Sequence, residues 1–244
     1  MQPEGAIMKI QDSVCFVSGA NRGIGLEFAR ALLLRGAARV YAGMRETSHF
    51  SELGVVPVAL DLHDMESVMA AADRCGDVNL LINNAGVAYV AQSVLDPAIL
   101  SDARAMFETN YFGTMRVTQA FAPALLRNAP GAILNVLSIA SWIAGPALAA
   151  YSASKSAEWS FTNALRIELA DTRVEVSALH MGFVDTDLTR GMEVVKLSPQ
   201  DVVRIALDGL EQGMAEIIAD EGTRAVKHSL GSPGAAYLNP PPIH

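Results

Sequence analysis

The segment Ser18-Gly19-Ala20-Asn21-Arg22-Gly23-Ile24-Gly25 joins a short apolar run, Val14–Val17, to a helical pattern. A strand that passes through a glycine-rich turn straight into a helix begins a parallel βα unit. The chain then repeats this alternation. Apolar runs at Ala38–Gly43, Val55–Leu60, Asn79–Ile82, Ala132–Leu137, Glu175–Leu179 and Glu216–Ile218 read as strands. Helices are predicted between them, over Ile24–Arg35, Met65–Cys75, Asp102–Arg127, Ser152–Ala170 and Pro199–Gln212. Asp64 and Ser198 stand where an N-cap is wanted, Pro199 at the tolerated first helical position, and Gly36 where a left-handed C-terminal residue fits. Short buried strands alternating with helices predict an α/β fold, a parallel sheet covered on both faces.

Composition narrows the function classes. Of 244 residues, 51% are apolar and 18% charged, which suits one domain, 1–244, with peripheral tails at 1–11 and 232–244. The 18 basic and 26 acidic side chains give a net charge of −8 without a Lys/Arg cluster, so no nucleic-acid partner is expected. Cys15, Cys75 and 5 scattered histidines supply neither a disulfide framework nor a metal-ligand spacing. The N-terminus has no basic region leading into an apolar run, so a cytoplasmic location is expected. Residues 128–154 carry no charge and could in length cross a bilayer. Asn135, Ser138, Ser141, Gly145 and Pro146 interrupt them, so they read as a buried strand and an apolar loop, with no membrane partner.

Glycines 19, 23 and 25 have the spacing G-x-x-x-G-x-G, which is neither a P-loop nor G-x-G-x-x-G. They allow a tight turn, and the helix that follows offers unpaired N–H groups to a pyrophosphate. Downstream stand Asn83-Asn84-Ala85-Gly86 after the fourth strand, Asn110 in the long helix, and Ser138 after the fifth strand. Tyr151-Ser152-Ala153-Ser154-Lys155 follows, with Ser138 thirteen residues before Tyr151. This ordered set, spanning about residues 12–220, resembles the short-chain dehydrogenase/reductase family, with its T-G-x-x-x-G-x-G opening, N-N-A-G and Y-x-x-x-K. Ser18 stands here for the usual threonine, and Met181 for the proline that normally precedes Gly182.

The resemblance implies a three-layer, doubly wound Rossmann fold with a seven-stranded parallel sheet. It also implies an oxidoreductase that moves a hydride between a nicotinamide cofactor and a carbonyl or alcohol. By resemblance Ser18, Gly19, Asn21, Arg22, Gly23, Ile24 and Gly25 cradle the cofactor, and Asp61 and Leu62 contact its adenine. Asn84, Ala85 and Gly86 line its groove, and Gly182, Val184 and Thr186 meet the nicotinamide end. Tyr151 becomes the proton donor or acceptor. Lys155 supplies charge and ribose contacts, Ser138 a hydrogen bond to the reacting oxygen, and Asn110 a water on the proton route. The residues themselves agree with this chemistry. Tyr151 and Lys155, four apart, share one helix face, and a neighbouring ammonium favours a phenolate that is otherwise scarce at neutral pH.

Cofactor choice is read at the end of the second strand, where an NAD site places an acid. Here Met44 and then Arg45 occupy that region, and no acid precedes Glu46. A guanidinium suits a 2′-phosphate, and Arg22 adds a second cation, so NADP(H) is expected over NAD(H). Val87, Tyr89, Ile139, Ala140, Trp142, Ile143, Leu148, Phe183, Leu188 and Met192 predict apolar pocket walls and a lipophilic ketone or aldehyde substrate. The family's two long helices imply a homodimer or homotetramer. Four other functions compete with this one. An NAD(H)-linked alcohol dehydrogenase would need an acid near Met44. Non-catalytic cofactor-binding members typically lose the tyrosine or lysine kept here. A lyase of the halohydrin-dehalogenase kind lacks the glycines and Lys155. A Ser-Lys hydrolase lacks its G-x-S-x-G turn at Ser138.

Overall fold

The computed structural model describes residues 8–240. Its strands are β1 (Val14–Ser18), β2 (Arg39–Met44), β3 (Val55–Ala59), β4 (Leu80–Asn83), β5 (Gly131–Val136), β6 (Val174–His180) and β7 (Glu216–Ile218). They pair in parallel in the order β3-β2-β1-β4-β5-β6-β7. This is the expected doubly wound α/β fold. The order reverses between β1 and β4, so the connections leaving those strands depart to opposite faces. A crevice opens between them at the carboxyl ends.

Period-two alternation buries both faces. Cys15 and Val17 of β1 join a core with Phe28, Leu32, Val203 and Leu207, under α1 (Gly23–Leu34) and α6 (Pro199–Leu210). Phe16, between them, points the other way and meets Phe121 at a 4.4 Å ring separation. That second core lies under α2 (Met65–Arg74) and α4 (Thr114–Arg127), with Leu165 of α5 (Ala149–Glu168) packed against it.

Several expectations are corrected. The single helix expected over 102–127 begins earlier, with α3 (Ile99–Met106), and passes through a π-helical segment, Phe107–Gly113, before α4. The wider turn brings Asn110 and Gly113 onto the buried side. A further helix, α7 (Glu221–Ser229), lies outside the predicted set. Only Thr223 and Val226 of it are buried, so it has no apolar stripe to read, although Asp220 caps it. The charge-free run 128–154 contains β5, two short 3₁₀ turns and the start of α5. Among the described residues, no helix is long and apolar enough to cross a membrane. The N-terminal tail expected over 1–11 is packed from Met8, since Met8 and Ile10 are core residues; 1–7 lie outside the described residues. In the tail expected over 232–244, Ala235 is buried and Pro240 reaches the rim of the crevice; 241–244 are likewise outside.

Candidate active site

The turn after β1 is closed by contacts that only glycine permits. A Cβ on Gly25 would sit 2.3 Å from the Gly19 carbonyl oxygen and 2.5 Å from Asn84 Nδ2. Gly19 itself has φ +66°, and a Cβ there would meet the Ala85 backbone at 2.8 Å. Asn84 clamps this turn, donating from Nδ2 to the Ser18 and Gly19 carbonyls at 3.0 and 3.2 Å. The helix that starts here is bare. No side chain caps α1 and no acid stands in its first turn, whereas Asp64, Ser198 and Asp220 cap α2, α6 and α7. The unspent N–H groups and the positive helix end suit a pyrophosphate.

A groove of about 1240 Å³ runs from this turn across the carboxyl ends of the strands. Gly19, Asn21, Arg22, Gly23, Ile24, Gly25, Arg45, Asp61, Leu62, Asn84, Ala85 and Gly86 line one part of it. Ser138, Tyr151, Lys155, Gly182, Val184 and Thr186 line the other. Two expected site residues do not reach it. Ser18 is buried, and its Oγ accepts from the backbone N–H groups of Asn84 and Ala85 at 3.0 and 3.1 Å, so it ties β1 to the β4 loop. Asn110 is fully buried. Its Oδ1 accepts from Val87 N at 2.8 Å, and its Nδ2 donates to Val87 O and Ser154 Oγ, both at 2.9 Å. Both amide protons are spent on protein partners, so the Asn110 side chain splints the loop after Gly86.

At the end of β2, Met44 is buried and Arg45 is exposed; among the described residues Arg45 forms no ion pair. The neighbouring Glu46 carboxylate accepts from Ser48 N at 2.9 Å, which holds its pKa below the usual range. Arg22, expected beside it as a second cation, instead reaches over the groove to Asp187 at 2.8 Å.

The reaction half is held by side chains. Ser138 Oγ accepts from Ala140 N at 3.1 Å, which leaves its O–H free to donate into the groove. The Ser138 carbonyl lies 3.2 Å from His180 Nδ1. A carbonyl only accepts, so that nitrogen carries the proton. Burial pushes the His180 imidazole down to about 3, so it stays neutral. Lys155 Nζ donates to Val136 O at 2.9 Å and to Glu158 Oε2 at 2.6 Å, with both side chains buried. Burial alone would lower the ammonium, but the Glu158 carboxylate, with Tyr151 beside it, more than compensates and raises its pKa. Burial in turn lifts the Glu158 carboxyl, partly offset by Lys155.

The expected apolar walls line the groove, with one exception. Trp142 turns inward and stacks on His180 with centroids 3.9 Å apart, because the two flat rings fill the space behind Ser138.

The short chain dehydrogenase family model matches residues 13–194. The chain belongs to the short-chain dehydrogenase family. It is 33% identical over 238 residues to the 1-deoxy-11-beta-hydroxypentalenate dehydrogenase of Streptomyces avermitilis, covering 92% of this chain and 83% of that one. It is 31% identical over 242 residues to the NADP-dependent 3-hydroxy acid dehydrogenase of Schizosaccharomyces pombe, covering 87% and 92%. A short chain dehydrogenase from Burkholderia cenocepacia, solved in complex with NADP, superposes with a TM-score of 0.88 at 41% identity over 93% and 95% of the two chains. This dehydrogenase is therefore an NAD(P)-binding oxidoreductase acting on alcohol and carbonyl groups.

Two polar groups beside its groove escaped the sequence reading. His180 lies in an apolar strand and signals only as a polar residue among Leu179 and Met181. Glu158 stands one helical turn past Lys155, a spacing that usually marks an exposed ion pair.

Proposed function

We propose that this dehydrogenase interconverts a lipophilic ketone or aldehyde and its alcohol with NADP(H), working as a carbonyl reductase. The observation that carries the reading is that Ser138, Tyr151 and Lys155 open onto the same groove as the uncapped start of α1. When bound, the nicotinamide supplies or accepts the hydride. The Tyr151 phenol gives the proton to the carbonyl oxygen, or takes it from the alcohol. The Ser138 hydroxyl donates to the same oxygen and holds it against Tyr151. The Lys155 ammonium puts a positive charge beside Tyr151 and would hold the cofactor ribose. Gly19, Asn21, Arg22, Gly23, Ile24 and Gly25 would hold the pyrophosphate part, with Asp61 and Leu62 beside the adenine. Gly182, Val184 and Thr186 would hold the nicotinamide end.

The preference for NADP(H) is supported by exposed Arg45, by the lack of an acid before Glu46, and by the NADP of the Burkholderia structure. Ile143, Leu148, Phe183, Leu188 and Met192 support a lipophilic substrate. Exposed Leu100 and Phe112 support a homodimer or homotetramer. Initial rates with NADPH and NADH over alkyl and aryl ketones and aldehydes test the reading. NADPH-linked reduction is expected; inert ketones alongside turnover of charged or carrier-linked substrates would overturn the substrate class. In Arg45→Ala the preference for NADPH over NADH should fall about tenfold to a hundredfold, the range of a charged hydrogen bond. An unchanged ratio would remove Arg45 from cofactor choice.

A further inference from the structure

A buried carboxylate is costly unless it is paired, and Glu158 is 1% exposed with a single ammonium beside it. Among the described residues, its other oxygen has only the Thr114 hydroxyl, at 3.4 Å. It does not line the groove, so it cannot meet a ligand. Its one strong partner is Lys155, which does line the groove and whose nitrogen it holds at 2.6 Å, next to the Val136 carbonyl. The ammonium is thus gripped from behind, on the sheet side, by a full charge and a carbonyl.

We propose that Glu158 is a positioning residue for the reaction, a buried counter-ion that keeps the proton on Lys155 and fixes where its ammonium stands. The inference rests on the reading of Tyr151 and Lys155 as the reaction centre. The surroundings leave Glu158 as the group for this task. On α5 the charged or titratable neighbours are Tyr151 and Glu158 itself. From β6, His180 faces the pair as a neutral ring. The π-helical segment and α4 present the Asn110 amide and the Thr114 hydroxyl, and β5 the Val136 carbonyl, none of which carries charge. Without Glu158, burial would expel the proton from Lys155 as pH rises. Lys155 would then bring no positive charge to Tyr151 or to the cofactor's part of the groove.

The test is Glu158→Gln, which keeps shape and removes charge. Three quantities are measured: the pH profile of kcat/KM, the pH dependence of the NADPH Kd by fluorescence titration, and the melting temperature. In the variant, both activity and NADPH affinity should decline on the alkaline side at least one pH unit below wild type, and Glu158→Asp should move the limb back. A folded Glu158→Gln with the wild-type alkaline limb in both measurements overturns the proposal. If Glu158→Gln does not stay folded, Lys155→Met/Glu158→Gln decides. Melting above the single variant supports the pairing, because the stranded ammonium is gone; equal or lower melting overturns it. Retained activity in Tyr151→Phe would instead defeat the reaction-centre reading, while the NADPH titrations still judge the Lys155–Glu158 pair.

Discussion

At the β1 end of the groove the groups offered to a ligand are mostly backbone: the first N–H groups of α1 and a turn closed by Gly19 and Gly25. At the β5 end they are side chains, and two of them, Ser138 and Lys155, are fixed from behind. Ala140 N orients the Ser138 hydroxyl, Glu158 grips Lys155, and Asn110 splints the loop after Gly86. The two ends are therefore vulnerable to opposite changes. The first fails when an atom is added where none fits, and the second when a functional atom is removed from a well-packed frame. Binding and chemistry should come apart under substitution.

The largest separation is expected from Tyr151→Phe. Loss of the phenol oxygen should lower kcat about 10²–10⁴-fold, the usual contribution of a positioned acid or base, with NADPH Kd and melting temperature unchanged. A variant keeping more than about a tenth of wild-type kcat would break the division, since proton transfer would not then depend on this group. The converse substitution is Gly25→Ala. Its Cβ would be driven against the Gly19 carbonyl and Asn84 amide, so the turn must open. Stability should drop by about 1–3 kcal/mol, as for other overpacked sites, and NADPH affinity should drop with it. Calorimetric titration and denaturant melts read both, and wild-type values for Gly25→Ala would refute the tight closure.

How much of this was legible in the sequence follows the same division. The strands were readable because runs such as Val14–Val17 and Ala132–Leu137 are apolar and bounded by glycine or proline. Their ends moved by a residue where polar side chains still pair in the sheet. Asn83, for example, continues β4 beside Asn135 and donates to it at 2.9 Å. The cradle was readable because a missing Cβ is visible in a sequence. What hid was side-chain direction. Ser18 belongs to the motif, yet its hydroxyl faces the β4 loop. The π-helical turn that turns Asn110 inward needs no particular residue type, so nothing marks it. Trp142 sits among apolar neighbours that line the groove, and only the stack on His180 tells which way it turns.

His180 sharpens the reaction half through stability rather than rate. Its folded pKa of about 3 lies below the usual 6.5, so the unfolded chain binds this proton more readily. The stabilisation is complete above about 6.5 and is lost as pH falls toward the folded value. Between pH 6.5 and 5 the loss should amount to about 2 kcal/mol, at roughly 1.4 kcal/mol per unit. Urea melts at several pH values should show that slope in wild type and lack it in His180→Asn. An identical slope in both would mean that another group governs the acid side.

The smallest effect tests the helix ends, where bare and capped versions of one structure occur in the same molecule. Ser198 Oγ accepts from Asp201 N at 3.0 Å at the start of α6, the satisfaction that α1 lacks. Ser198→Ala should cost about 1 kcal/mol, the typical value for a lost N-cap, and leave NADPH Kd unchanged. At α1 there is no cap to remove, so the same N–H groups should show their value only when ligand is present, as a rise in melting temperature with NADPH concentration. Equal NADPH-dependent rises in wild type and Ser198→Ala, on baselines offset by the lost cap, are the expected result. A smaller rise in Ser198→Ala would mean that α6 feeds the cofactor site and that the capped and bare ends are not independent.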